Sequence, residues 1–474
     1  MIVAGCGRRS RLVDQHRPHY NLTFSILAIS GIAFALLQSL VAPALRTIQV
    51  DLHTSTTTVA WVFTGYLLSA SVATPIVGRL GDMFGKKRML VVTLAIVAAG
   101  TLVAALATSI GVLILGRVIQ GAGGAIFPLS FAIIRDEFPR ERVPTGIALI
   151  SALLGVGAGL GIVLAGPITQ HLSYHWLFWL PLAPVVAAGV AAYVVIPESP
   201  VRAPGRIDWA GALLLTGWLV TLLLGVSEGP AWGWGSARVL GLFAVAAVLV
   251  VLWVGAEQLI EAPLVDMRML RLHTVWTTNL TGLLLGAGMY SSFVLIPEFV
   301  ELPVAGRVGF GSSVTQAGIF LLPSTLGILL VGPLAGRLSS SVGAKVPLVL
   351  GCFLTAAAYT FVTAEHDAPW QIYVCTATMG AGIGFAFGAM ANLIVAAVRP
   401  EETGVATGMN TIVRTIGGSL GSQVSASVVA SPTDHAFTTA FAISATAVAI
   451  SFLVSLSVPG RPRALSPALV RSPS

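Results

Sequence analysis

The sequence predicts an all-α polytopic membrane protein of fourteen transmembrane helices, with two six-helix halves and two helices inserted between them. Of its 474 residues, 55% are hydrophobic and 9% are charged, and the mean hydropathy is +0.89. A soluble domain carries about 25% charged residues, so this chain cannot cover its surface in water. Long uncharged runs recur along the whole chain, and two loop motifs repeat at one fixed separation.

The apolar runs give the number of spans, because a spanning helix needs about 20 mostly apolar residues. The basic segment before the first run resembles a signal peptide, but the run is long enough to span, so we interpret it as an uncleaved helix. An even number of spans places both termini on one side of the membrane. The fourteen runs are 22–44, 57–77, 89–107, 110–134, 145–166, 176–196, 209–226, 239–256, 275–297, 315–336, 346–363, 371–398, 403–424 and 437–458.

The basic residues predict the orientation. With a cytoplasmic N-terminus, the inside segments hold 21 of the 26 lysines and arginines, and the outside segments hold three. This bias follows the positive-inside rule. It accounts for the net charge of +7 without a nucleic-acid partner. We therefore expect a multi-pass protein in the lipid bilayer of the inner (plasma) membrane, with both termini cytoplasmic.

The two repeated loop motifs predict the domain organisation. They lie 258 residues apart: residues 78–80, 85 and 87 match 336–338, 343 and 345, and residues 145–148 match 403–406. This separation spans eight helices, as expected for two parallel six-helix halves with two extra helices between them. Such halves are typical of transporters, whose substrate site lies between them near the bilayer midplane. The predicted segments are 1–21 (cytoplasmic), 22–200 (first half), 201–260 (inserted helices), 261–458 (second half) and 459–474 (cytoplasmic tail).

The loop after the second span carries a family motif. Residues 78–88 read GRLGDMFGKKR, which resembles the G-x-L-x-D-x-x-G-R/K-R/K signature of the major facilitator superfamily. With fourteen spans, the chain is similar to the drug:proton antiporter branch of that family. Two further stretches are similar to the branch patterns R-x-x-Q-G-x-G and N-x-x-x-R-x-x-G-G, namely Arg117 to Gly124 and Asn410 to Gly418. The resemblance implies the major facilitator fold.

The loop motif also has a physical explanation. Gly78 and Gly85 permit a tight turn, and the cations that follow hold the loop at the anionic inner leaflet. Asp82 either pairs locally with these cations or, as the resemblance implies, docks at the N-terminus of the thirteenth helix near Thr403, where free amides favour an anion. The second alternative would latch the inner side closed. The predicted gating motif comprises Gly78, Arg79, Asp82, Gly85, Lys86, Lys87 and Arg88.

Arg117 and Arg414 are the only formal charges well inside a span. A buried arginine is costly in a membrane unless it meets a cavity or a partner. Arg117 and Gln120 share one helical face, which should not meet lipid and which we expect to lie in or beside a central cavity. The alternative for each arginine is a structural role, for Arg117 hydrogen bonding to nearby carbonyls. The predicted cavity residues, for substrate or coupling, are Gln38, Arg117, Gln120, Asn410 and Arg414.

Two departures from the antiporter pattern concern energy coupling and export. Gln38 occupies the position where the branch commonly has a titratable aspartate, so a proton-carrying role does not transfer to it. Glu298, at the outer end of the ninth span, is then the candidate proton site, the alternative being an interfacial residue. Ile162 and Ala165 replace a proline and a glycine of a fifth-helix motif that the family associates with export.

Glycines at four-residue spacing predict close helix packing. They are Gly157 and Gly161 in the fifth span, and Gly380 and Gly384 in the twelfth.

Secondary transport is the function that these features favour. All loops are short, and no nucleophile, metal-ligand or paired-carboxylate constellation is apparent, so we expect no enzyme, no cofactor and no metal. The resemblance implies a monomer that exports hydrophobic or cationic small molecules by proton antiport with alternating access. The alternatives are a facilitator or uptake transporter of a small metabolite and a non-transporting sensor.

Overall fold

The computed structural model describes residues 20–199, 201, 208–260, 263–303, 309–430 and 433–460, and this part of the chain is helical without strands. Most of the two predicted terminal segments, 1–21 and 459–474, lies outside the described residues. The basic residues of these segments lie outside the described residues too. Fourteen long helices occupy the predicted spans. They are α1 Tyr20–Ser39, α2 Thr56–Phe84, α3 Lys86–Ala105, α4 Ile110–Glu137, α5 Val143–His171, α6 Trp176–Val195, α7 Trp209–Trp232, α8 Ala237–Leu259, α9 His273–Glu301, α10 Val314–Ser341, α11 Lys345–Ala364, α12 Pro369–Ala397, α13 Thr403–Val428 and α14 Asp434–Leu456.

Thirteen of these helices are long and apolar enough to cross a membrane, and α13 is the exception. Its 26 residues reach about 39 Å at 1.5 Å per residue, enough for a hydrocarbon core of about 30 Å. Its sequence is rich in Thr, Ser, Asn and Gln. Because α13 packs against α2, α4, α7 and α9, it has neighbours around much of its surface and can carry polar side chains that lipid would exclude.

Local sequence signals start several of the helices. Ser55, Asp208, Ser236 and Thr433 each accept a hydrogen bond from a backbone amide in the first turn of the following helix. Ser313 forms a reciprocal capping box with Gln316 at the start of α10. Such caps satisfy the free amides at a helix N-terminus.

The helix packing repeats between the two halves. In the first half, α1 packs on α5 and α6, α3 packs on α4 and α6, and α2 packs on α4. Eight helices later, α9 packs on α13 and α14, α11 packs on α12 and α14, and α10 packs on α12. The turn glycines repeat as well: Gly85 has φ +113° and Gly343 has φ +95°. Only glycine adopts such backbone angles without strain.

Two seams join the halves, α2 with α13 and α5 with α10. A Cβ at Gly78 would stand 2.8 Å from the Gly404 carbonyl oxygen, and one at Gly336 would stand 2.6 Å from the Thr145 Cα. The repeated positions therefore form the crossing point of each seam. The inserted helix α7 packs on both α2 and α13. The inserted pair therefore covers the α2–α13 seam and not the α5–α10 seam.

The predicted orientation can be tested by cysteine labelling. The loops that follow the even-numbered helices, such as the α2–α3 loop at Gly85, lie on one face of the molecule. We call this face the basic face. Lys86 lies on it but is fully buried, so a label belongs at the exposed Arg88. With Cys6, Cys352 and Cys375 changed to alanine, single cysteines at Arg88 and Lys345 should react only with reagents inside the cell. Cysteines at Trp232 and Asp367 should react from outside, and reaction of Arg88→Cys with an impermeant external reagent would reverse the orientation.

Candidate functional site

Two small cavities lie between the halves. The larger measures about 40 Å³ and is lined by α1, α2, α4, α5, α9 and α13, and the smaller measures about 10 Å³. They have room for a few water molecules at most, whereas drug-sized ligands occupy about 300–1,000 Å³. Neither cavity therefore has room for a drug-sized ligand in this conformation. The polar lining of the larger cavity includes Gln38, Tyr66, Ser71, Thr74, Tyr290, Thr411, Arg414 and Thr415, and its aromatic lining includes Phe34 and Phe127.

Three of the five predicted cavity residues line these cavities. Arg414 borders both, Gln38 borders the larger and Asn410 borders the smaller. The Gln38 amide donates a 3.3 Å hydrogen bond to the Tyr290 hydroxyl, which joins α1 to α9 across the two halves. Asn410 donates to the Asn279 side chain at 2.9 Å, within the second half.

Arg117 and Gln120 line neither cavity, and Arg117 lies beside the larger one, behind Tyr66. Arg117 is fully buried, and it donates to the carbonyl oxygens of Leu37 at 2.9 Å and Val62 at 3.1 Å. It also donates to the Gln120 side chain at 2.8 Å, and its guanidinium lies 4.2 Å from the centroid of the Tyr66 ring. Tyr66 thus separates Arg117 from the larger cavity. The contacts match the structural alternative for Arg117, because carbonyl acceptors and an aromatic face offset the cost of burying the guanidinium.

Gln120 extends this hydrogen-bond network to a fourth helix. Its amide donates to the Thr101 hydroxyl at 3.0 Å. Arg117 and Gln120 on α4 therefore contact α1, α2 and α3 at the centre of the first half. The neighbouring glycines of α4 form a 3-10 turn, Gly121–Ala125, against α2. The turn brings the two backbones close, since a Cβ at Gly121 would stand 2.5 Å from the Ser69 side chain.

On the basic face, Asp82 crosses the seam between α2 and α13. The side chain is 1% exposed, and its two oxygens accept from the backbone amides of Gly404 at 3.3 Å and Val405 at 3.2 Å. These are free amides of the first turn of α13, which has no side-chain cap of its own. Asp82 therefore caps a helix of the other half, where a carboxylate also complements the helix dipole. This is the docking position that the resemblance implies, near Thr403.

Arg135 and Asn392 make further contacts between the halves on this face. Arg135, at the end of α4, donates to the Thr403 hydroxyl at 2.6 Å and to the Val398 carbonyl oxygen at 2.9 Å. Asn392 on α12 donates to the Pro144 carbonyl oxygen at 2.9 Å. Arg135 and Asp82 thus hold the same α12–α13 hairpin, one through carbonyls and the other through amides. Within that hairpin, a hydrogen bond to Glu402 raises the pKa of Arg399.

The cations of the loop motif do not act together at the membrane surface. Lys86 is buried in an ion pair with Asp136 at the end of α4, a correction to the expected leaflet contact. The Lys87 ammonium lies 5.6 Å from the Tyr193 ring centroid. Arg88 is exposed, and Arg79 on α2 is partly buried. The sequence predicted a leaflet contact for Lys86, Lys87 and Arg88, and the burial of Lys86 excludes it from that contact.

Glu198 caps α3, and no sequence pattern indicated it. Its carboxylate accepts from the amides of Lys87 at 3.2 Å and Arg88 at 3.1 Å. A Cβ at Gly85 would stand 2.6 Å from this carboxylate, so both the backbone angle and the available space require glycine there. Arg135, Asp136 and Asn392 were missed in the same way, because their partners lie dozens to hundreds of residues away.

The family model for the Major Facilitator Superfamily matches residues 27–422 and 278–470. The chain belongs to the major facilitator superfamily. As a member of this family it is a transporter and not an enzyme, and its two repeated halves agree with that architecture.

Several curated proteins are similar to this transporter. The tetracenomycin C resistance and export protein of Streptomyces glaucescens is 30% identical over 391 residues, covering 81% of this chain and 71% of that protein. A multidrug resistance protein B homolog of Mycobacterium tuberculosis is 30% identical over 375 residues, covering 77% and 68%. Multidrug resistance protein 3 of Bacillus subtilis is 28% identical over 375 residues, covering 78% and 71%.

Two solved structures share the fold of the transporter. The human organic anion transporter MFSD10 matches with a TM-score of 0.64 at 15% identity, over 93% of this chain and 99% of that one. The proton:xylose symporter XylE, bound to 6-bromo-6-deoxy-D-glucose, matches with a TM-score of 0.68 at 12% identity, over 94% and 98%. At these identities the likeness concerns the fold.

The candidate proton site of the transporter lies away from both cavities. Glu298 and Glu301 are exposed near the end of α9, and neither lines a cavity. This position matches the interfacial alternative for Glu298. A coupling role would require a proton to reach the cavities from this end of α9.

The predicted packing glycines lie within each half of the transporter. Cβ atoms at Gly157 and Gly161 would collide with Ala35 and Ser39 on α1, and one at Gly380 would stand 2.1 Å from the Ser324 carbonyl oxygen on α10. A Cβ at Gly384 would stand 3.0 Å from the Cα of Ile328, also on α10. Other glycines lie in the α5–α10 seam between the halves: Gly155 packs against the side chain of Ile328, and Gly159 packs against that of Thr325.

Proposed function

We propose that this transporter exports hydrophobic small molecules by alternating access, with proton exchange as the energy source. The observation that carries the proposal is the pair of closed cavities at the interface of the halves, next to a set of contacts between the halves on one face. The resistance and export proteins among its relatives support export as the direction of transport. We further propose an inner-membrane monomer with both termini cytoplasmic.

Alternating access needs contacts between the halves that can break on one face while the halves stay packed further from that face. The hydrogen bonds of Asp82, Arg135 and Asn392 are such contacts, since each joins the halves near the ends of the helices. Opening towards the cytoplasm would break them, and the free α13 amides would then meet water. The α5–α10 seam could stay packed further from this face, where Gly155 and Gly159 lie against Ile328 and Thr325.

Of the two substrate classes expected from the sequence, hydrophobic compounds fit the cavities better than cations. No carboxylate is among the residues that line either cavity, and Arg414 lines both. A cationic substrate would therefore meet a like charge in a medium of low dielectric constant, which is unfavourable.

Transport in inverted membrane vesicles tests the proposal. With an acidic lumen, a panel of hydrophobic fluorescent dyes should include compounds that accumulate only when the protein is present, and nigericin should abolish the accumulation. Glu298→Gln, if Glu298 carries the proton, should lose accumulation but keep substrate exchange, because the conformational cycle survives without the titrating group. Equal accumulation with and without the pH gradient would reject proton exchange. No accumulation of any dye above protein-free vesicles would reject export.

A further inference from the structure

Arg414 is a cavity cation with no counter-charge. It is partly buried at the centre of α13 and borders both cavities. Among the described residues its guanidinium faces the ring of Phe387, whose centroid lies 4.3 Å away, and the Tyr290 hydroxyl lines the same cavity. The structure records no hydrogen bond or ion pair for this guanidinium, although it can donate five hydrogen bonds.

Arg117 shows what a structural arginine in this fold requires. Its Nε and Nη1 donate to two backbone carbonyls and an amide oxygen, and its guanidinium faces an aromatic ring, while its buried Nη2 has no hydrogen-bond partner in the described structure. Arg414 has the aromatic face alone. Because an unpaired buried charge is costly, the donors of Arg414 are placed for a partner that enters the cavity.

The residues around Arg414 indicate the chemistry of that partner. The Tyr66 hydroxyl is buried at the same cavity and has no hydrogen-bond partner in the described structure. The Gln38 amide and the Tyr290 hydroxyl lie on the cavity wall. Phe34 and Phe127 supply apolar ring surfaces. The site thus combines a fixed positive charge, neutral donors and aromatic walls, and no lining residue carries a negative charge.

We infer that the central cavity binds an aromatic organic anion, whose carboxylate or phenolate oxygen pairs with Arg414 and whose rings pack against the aromatic lining. This inference rests on the proposed function, since it names the substrate class of the same cavity. A guanidinium pairs with a carboxylate through two parallel hydrogen bonds. The neutral Gln38 fits the same chemistry, because a carboxylate at this position would repel the anion.

A matched set of probes tests the charge preference directly. The protein in lipid nanodiscs is equilibrated by dialysis with 2-naphthoate, 2-naphthamide or 2-naphthylmethylammonium, with empty nanodiscs to subtract partitioning into lipid. We expect the anion to bind roughly tenfold or more tightly than the neutral and cationic probes, as for a charge-assisted hydrogen bond. Arg414→Gln should remove this preference. Arg238→Gln, which removes an equal charge from an exposed position on α8, should keep it.

A second variant keeps the test decisive if Arg414→Gln does not fold. Gln38→Glu places a carboxylate on the cavity wall and should weaken 2-naphthoate binding roughly tenfold or more, with little change for 2-naphthamide. Equal binding of the three probes, or retention of the preference in folded Arg414→Gln, would overturn the anion site. Export is judged separately in vesicles: dye accumulation without a binding preference would reject only the anion site, whereas a preference without accumulation would reject only export.

Discussion

Asp82→Asn should reduce transport to a small fraction of the wild-type rate while the protein still inserts. Asparagine has one side-chain acceptor oxygen, so one of the two α13 amides that Asp82 now satisfies loses its partner. The negative charge at the N-terminus of α13 is lost as well. Hydrogen bonds to charged groups contribute about 1.5–3 kcal/mol each, so we expect the closed state to lose roughly 2–3 kcal/mol. This corresponds to a population shift of roughly 30- to 150-fold.

The effect can be measured with spin labels on the basic face. Labels at Arg88 and Glu401 report the separation of the halves, and Asp82→Asn should shift the distance distribution towards larger values. Ser340→Asn is the matched control, because Ser340 is the repeat-equivalent position on α10 and donates only to its own helix, at the Arg337 carbonyl. It should transport at the wild-type rate. An unchanged distance distribution and rate in Asp82→Asn would contradict the latch.

Arg117→Ala should destabilise the first half more than any substitution in the cavity lining. It would leave the Leu37 and Val62 carbonyls and the Gln120 side chain without the donor that they now share. The variant also creates a void beside Tyr66. Hydrogen bonds to charged groups contribute about 1.5–3 kcal/mol each, so we expect the loss of these bonds to lower the free energy of unfolding by about 3 kcal/mol or more. Arg117→Lys should recover only part of it, since an ammonium lacks the planar fork that reaches two carbonyls at once.

Thermal unfolding in detergent, followed by tryptophan fluorescence, measures this loss. Arg238→Ala is the control, because Arg238 is exposed and its guanidinium stacks near the Trp232 ring, 5.9 Å from the centroid. It should unfold at nearly the wild-type temperature. Arg117→Ala should unfold at a markedly lower temperature, and the fraction that stays folded should keep most of its substrate affinity. A stable Arg117→Ala that binds substrate poorly would instead return Arg117 to the cavity.

The contrast between the two intramembrane arginines shows where sequence reasoning ends. Both are single charges in apolar runs, and periodicity could say only that neither belongs on the lipid face. The carbonyls of Leu37 and Val62 that accept from Arg117 come from two other helices, and backbone carbonyls leave no mark in a sequence. Arg414 has no such acceptors in the described structure, a difference that depends on how α9, α12 and α13 pack.

The amino-acid sequence by itself predicted the positions of the helices and the two-half repeat, and the family motif that it carries implied the docking position of Asp82. These features depend on local hydropathy, on positive φ at turn glycines and on a motif of eleven residues, 78–88. Only the tertiary structure decided which glycines form the seam, that Lys86 pairs with Asp136, and that Glu198 caps α3. Each of these contacts joins residues on different helices. Its existence depends on the relative rotation and crossing of those helices, which hydropathy along one helix does not specify.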